Sequence, residues 1–199
     1  MKNDSVQENF ACYRDEKGEE MRLEKSGLSR RLDAMGIGYK SVHIECDGSC
    51  WLNLSGTHIS DLSVLKDVPV THLCLQGCYR ITDLSALKGT NVHWLNISRT
   101  RVMELSPLKN LPLTDLKLYR TQITNLAPLR ETSVRSLDIR STGITDLSPL
   151  RRVPLNELLF FPARIRKGIR SLCGIKTLER INRRPAEDFW ARYRQQPEA

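Results

Sequence analysis

The side chains with the most chemical potential fall into three groups. The first is a set of soft metal ligands. His72 and Cys74 alternate along one stretch, Cys78 follows, and His93 comes one unit later. Imidazole and thiolate are zinc ligands. The set does not recur, however: the positions matching His72 hold Trp94 and Asp115. These side chains therefore read as structural, and no metal is expected. The second group is Cys46 and Cys50, which flank Asp47-Gly48. Closing so short a loop strains a disulfide. No secretory signal precedes them, so Cys12, Cys46, Cys50, Cys74, Cys78 and Cys173 all read as thiols. The third group is aromatic and basic: Trp51, Trp94 and Tyr119, interleaved with Arg99, Lys117, Arg120 and Arg140. These types are enriched at binding hot spots. No phosphate-cradling glycine loop, "HExxH", "GxSxG" or "CxxC" occurs. The chain is expected to be non-enzymatic and to need no cofactor.

What positions the third group is a repeat. "HISDLSVL" at 58–65 returns as "RITDLSAL" at 80–87, "RVMELSPL" at 101–108, "QITNLAPL" at 122–129 and "GITDLSPL" at 143–150. Leu52, Leu73, Leu95, Leu116, Leu137 and Leu158 are separated by 21, 22, 21, 21 and 21 residues. The step of 22 has a cause, since "GCYRI" at 77–81 is one residue longer than "GTHI" at 56–59. Each unit opens with "LNL", "LCL", "LNI", "LKL" or "LDI". That alternation is a short strand with one buried face. Thr57, Thr100, Thr121 or Thr142 follows, with Cys78 in the second unit. In "DLSPL", Asp or Ser caps a turn and Pro fits its first positions. Two leucines three apart match one 3-10 turn. No unit can bury its leucines alone, but stacked units share one core and align their strands in a parallel sheet.

The pattern "LxxLxLxxTxITDLSPLxxxPL" resembles the leucine-rich repeat family, in the short bacterial form with Thr where Asn is usual. The positions that carry it include Val92/Leu95/Ile97/Thr100, Leu113/Leu116/Leu118/Thr121 and Val134/Leu137/Ile139/Thr142. The units are similar to arrays in planctomycete- and Lentisphaera-type bacterial proteins. The likeness extends over about 28–195, through "LDAMGIGYKSVHIECDGSCWLNLSGT", "ARIRKGIRSLCGIKTLERI" and "PAEDFWARY". In some of those proteins the array follows a serine/threonine protein-kinase domain, but no kinase motif occurs here. The resemblance implies an α/β leucine-rich repeat solenoid. Its parallel β-sheet would line the concave face, commonly the binding side, and 3-10 and extended segments the convex one.

A solenoid needs its ends covered. Residues 1–25 read as a polar, mobile tail, and 26–50 as an N-terminal cap of helix plus hairpin arm. The repeats occupy 51–157, and 158–199 holds the last repeat with a C-terminal helical cap. Leu28, Leu32 and Met35 give the first helix an apolar side, and Gly36 stops it. Asp47-Gly48 predicts the hairpin turn. Ile165, Ile169, Leu172 and Cys173 fall at helical spacing, and "TLERI" at 177–181 is a last strand. Pro185 opens a helix with Phe189, Trp190 and Tyr193 on one side.

Strand residues flanking the inward leucines must point outward. The rows are Trp51/Asn53/Ser55, His72/Cys74/Gln76, Trp94/Asn96/Ser98, Asp115/Lys117/Tyr119, Ser136/Asp138/Arg140 and Glu157/Leu159/Phe161, with Arg99 and Arg120 at strand exits. The expected partner-binding face is Trp51, Asn53, Trp94, Asn96, Arg99, Lys117, Tyr119, Arg120, Asp138 and Arg140. Mixed charge along it favours a protein partner over a nucleic acid, whose groove would be uniformly basic. The net charge of +8 gathers elsewhere, since 151–199 has twelve Lys/Arg against five Asp/Glu. The alternative is therefore a nucleic-acid or anionic-surface binder. It would use Arg151, Arg152, Arg164, Arg166, Lys167, Arg170, Arg180, Arg183 and Arg184, with Trp190 and Tyr193 nearby. No apolar run is long enough to span a membrane, and a cytoplasmic location is expected.

Overall fold

The computed structural model describes residues 10–14, 20–44 and 49–193. Within the expected N-terminal tail, Phe10–Arg14 (β1) and Glu20–Glu24 (β2) pair antiparallel. A helix, Lys25–Ala34 (α1), follows directly. Its Leu28 and Leu32 are fully buried. Met35 lies past the last helical residue and is 51% exposed, so it does not share their apolar side. Gly36, at φ 65°, turns the chain in a left-handed step, with its N–H on Asp33 O and the Ile37 N–H on Leu32 O.

Among the described residues that follow, nine strands form one sheet in sequence order. Ser41–Ile44 (β3) pairs antiparallel with Cys50–Asn53 (β4). Residues 45–48 between them, with Cys46 and the expected Asp47-Gly48 turn, lie outside the described residues. From β4 the ladder is parallel through Val70–Cys74 (β5), Trp94–Asn96 (β6), Asp115–Lys117 (β7), Ser136–Asp138 (β8), Glu157–Leu159 (β9) and Arg180–Ile181 (β10). Arg184–Pro185 (β11) closes the far end antiparallel to β10. Both ends of the parallel stack thus finish on an antiparallel partner, which covers edge N–H and C=O groups. Last comes Ala186–Tyr193 (α2).

Each "DLSPL" forms a short 3-10 turn opposite the sheet: Ser63–Leu65, Ser85–Leu87, Ser106–Leu108, Ala127–Leu129 and Ser148–Arg152. The cap is an Asx turn. Asp61, Asp83, Asn125 and Asp146 each accept the N–H two residues on, at 2.7–2.8 Å. Strand and turn leucines meet in one continuous core. Leu52, Leu73, Leu95, Leu116, Leu137 and Leu158 are all at most 2% exposed. Burying each contributes about 1.5–3 kcal/mol.

A polar column stitches the corner after each strand. The hydroxyls of Thr100, Thr121 and Thr142 donate to Ile97 O, Leu118 O and Ile139 O, each at 2.7 Å. Cys78 fills the same slot, buried, and its thiol donates to Leu54 O of the preceding unit at 3.0 Å. Thr therefore does here what the corner requires: it satisfies a carbonyl the strand ladder no longer serves.

Candidate functional site: the concave strand face

The sheet register aligns the outward residues in rows. Trp51, His72, Trp94, Asp115, Ser136 and Glu157 are successive partners, and His43 joins the row opposite Trp51. Asn53, Cys74, Asn96, Lys117, Asp138 and Leu159 form the second row. Backbone bonds at the strand exits, such as Arg99 N–H to Tyr119 O at 2.8 Å, extend the ladder to a third.

At the N-terminal end the face is aromatic. Trp51 is 47% exposed and stacks on His72, with ring centroids 3.5 Å apart and planes 5° from parallel. Ser41, His43, Trp51, Asn53, His72 and Trp94 border a cleft of about 320 Å³. The sequence reading leaves His43 and His72 out of the patch. His72 was legible as outward from the strand alternation, whereas His43 required the hairpin register. The Thr71 hydroxyl lies 3.0 Å from His72 Nδ1, but it also receives the Cys50 N–H and reaches Cys50 O. It clasps β5 to the start of β4. Burial pushes the Cys50 thiol up to about 11, so it stays protonated at neutral pH. Cys50, Cys74, Cys78 and Cys173 are free, and no three His, Cys, Asp or Glu among the described residues form a metal-binding group.

The middle of the face is basic around one ring. Arg99, Arg120 and Arg140 place their guanidinium carbons 5.9, 5.4 and 5.6 Å from the Tyr119 ring centre. Lys117 Nζ lies 5.1 Å from the Trp94 ring. Separations under about 6 Å are attractive cation–π contacts. Arg99 and Arg120 are exposed and Tyr119 is half-buried.

Two of the expected contact residues are placed differently. Asn96 is only 6% exposed, because its side chain is spent on the Ser98 N–H and on Gln76. Asp138 is 7% exposed and takes three bonds from Arg140, through the backbone N–H, Nε and Nη2. That hydrogen-bonded carboxylate raises the Arg140 guanidinium above its ordinary value. Strand alternation gives direction but not depth: a short polar residue between taller neighbours on a concave sheet turns its polar atoms back to the backbone.

In the basic C-terminal region the aromatics are those of the expected cap helix. Trp190 and Tyr193 fold onto Phe189 and pack against the core. They cap the array instead of standing open for bases. Cys173 is exposed, and a left-handed Gly168 and the 3-10 turn Arg170–Gly174 replace helix around it.

No family model and no curated protein matches the chain. Solved structures do. An internalin (inlF) from Listeria monocytogenes superposes with a TM-score of 0.53 at 24% identity, over 62% of this chain and 38% of that one. The internalin C2 (inlC2) of the same species gives 0.52 at 22% identity, over 62% of this chain and 56% of that one. The fold is a leucine-rich repeat solenoid. The matches span well under two thirds of both internalins, so they speak to this solenoid's architecture alone. Among the described residues, no helix of the solenoid is long and apolar enough to cross a membrane.

Proposed function

We propose that the chain is a non-enzymatic protein-interaction module that seats a partner protein on its concave strand face. One observation carries the reading. The strand leucines Leu52 to Leu158 are buried, yet Trp51 stands out on the sheet, stacked on His72 beside the half-buried Trp94. An exposed tryptophan of that kind, with arginines gathered around Tyr119 farther along the face, is hot-spot chemistry. The proposal includes the planctomycete-type character of the repeats and a cytoplasmic location.

The test is affinity capture from lysate of the source cell, with and without nuclease, using Trp51→Ala/Trp94→Ala as the matched control. A protein kept by the parent, lost by the variant and indifferent to nuclease is the expected result. Retention that vanishes with nuclease and ignores the variant would sink the reading and favour the basic C-terminal region. That alternative is weakened by the inward packing of Trp190 and Tyr193, and by the pairing of Lys167 with Asp146 and of Arg180 with Glu157.

A further inference from the structure

We propose that Arg99 and Arg120, with Tyr119 beside both, form an anion seat for carboxylates of a short acidic segment on the partner protein. This rests on the concave face being the docking surface.

The first support is backbone. The residue after each strand's third outward position adopts a left-handed conformation: Gly56 at φ 73°, Gly77 at 75°, Arg99 at 58°, Arg120 at 56° and Ser141 at 57°. A residue with a Cβ is disfavoured there, and only Gly, Asn and Asp visit the region routinely. Asp67, Gly89 and Asn110 follow that rule at a second left-handed corner of the repeats, although Arg183 at φ 66° breaks it between β10 and β11. Two consecutive units nevertheless place arginine where the first two place glycine. The fold does not need those side chains, because Gly56 and Gly77 make the same ladder bonds through their N–H groups.

The second support is charge. Arg99, Arg120 and Arg140 converge on one ring, and like charges so close repel unless an anion joins them. Arg140 is neutralised by Asp138. Among the described residues no carboxylate pairs with Arg99, Arg120 or Lys117. The nearby carboxylates are committed: Asp115 receives the Thr114 hydroxyl at 2.9 Å, and Glu157 faces Arg180 at 3.5 Å. A guanidinium pair with open donors fits carboxylates well.

The third is what surrounds the seat. Among the described residues Asp115 carries no ion pair, so its charge on the face opposes a long uniform polyanion. The Trp51–His72–Trp94 cleft lies toward the N-terminal end. A segment with one or two acidic residues near an apolar or aromatic one satisfies both subsites; a nucleic-acid strand could stack on the rings, but its run of phosphates would also have to pass Asp115.

The experiment is selection of a random displayed peptide library on the full chain. It is followed by affinities of the enriched peptides, their Glu→Gln and Asp→Asn versions, and random-sequence single-stranded DNA. Expected is enrichment of acidic residues near an aromatic one. Arg99→Gly/Arg120→Gly should then weaken those peptides by about tenfold or more, the scale of lost charge-assisted bonds. The same variant should keep or raise Tm, because glycine relieves the left-handed strain. Four results would overturn the seat: no acidic enrichment, amide peptides binding as well as acidic ones, a lower Tm in the glycine variant, or DNA outcompeting the peptides. If the glycine variant binds normally but Trp51→Ala/Trp94→Ala does not, the seat fails and the docking face stands. If neither variant changes binding, the docking face itself fails.

Discussion

The two sides of the solenoid are written in different ways. On the turn side, "DLSPL" recurs almost letter for letter, and each copy does one job: a 3-10 turn that buries leucine, Asx-capped in four of the five copies and with Glu104 in the third. On the strand face the inward letters repeat while the outward ones change from Trp51 to His72, Trp94, Asp115, Ser136 and Glu157. Packing explains the difference. A buried position sees the same neighbours in every unit and accepts one shape, whereas an exposed position is free of that demand. Sameness marks load on the fold, and difference marks freedom for recognition.

That contrast can be broken first at the core. Leu116→Ala, in a central strand, should cost about 2–5 kcal/mol through lost burial and the cavity left. Urea unfolding with a calorimetric check measures it. A cost near zero would mean that the units do not share one core. Thr121→Val comes next. It removes the 2.7 Å bond to Leu118 O, while that carbonyl keeps the Thr121 N–H, so about 1 kcal/mol is expected.

The strand face should move stability least. Trp51→Ala/Trp94→Ala should change the unfolding free energy by about 1 kcal/mol or less, mainly the lost ring contacts, while abolishing partner capture. A larger loss would turn those rings into structural parts and blur the contrast.

The finest probe is acid. The carboxyls of Asp61, Asp83 and Asp146 sit below the ordinary range, held there by the hydroxyl and then the N–H of the serine two residues on. The folded-state value is the lower one. Their contribution is therefore complete above the unfolded carboxylate range and is lost as pH falls through the folded values. Urea midpoints should decline modestly on acidification from neutral pH. Ser63→Ala/Ser85→Ala/Ser148→Ala should flatten that decline. An unchanged acid slope would place the effect outside the turns.

Much of this architecture was legible in the letters. Period, strand positions, turn positions and the outward rows all follow from spacing, because strand alternation and a fixed coil length leave one way to bury the leucines. The corner threonines were visible as a column, though not the carbonyls they serve. The site was legible in direction only. Spacing put Asn96 and Asp138 on the face, and the structure spends their polar atoms on neighbours: Asn96 on the Ser98 N–H and Gln76, Asp138 on Arg140. It missed the Trp51–His72 stack, because stacking depends on side-chain rotamers across two strands.

The sequence by itself determined the repeat, the core and the order of the strands, since each rests on local alternation and a shared period. Only the tertiary structure decided which outward residues remain open, how Phe189, Trp190 and Tyr193 of the expected cap helix stack on one another, and that Arg99 and Arg120 occupy left-handed corners around Tyr119. Those outcomes depend on distances between units and on backbone angles at single residues, and no pattern of letters along one strand encodes either.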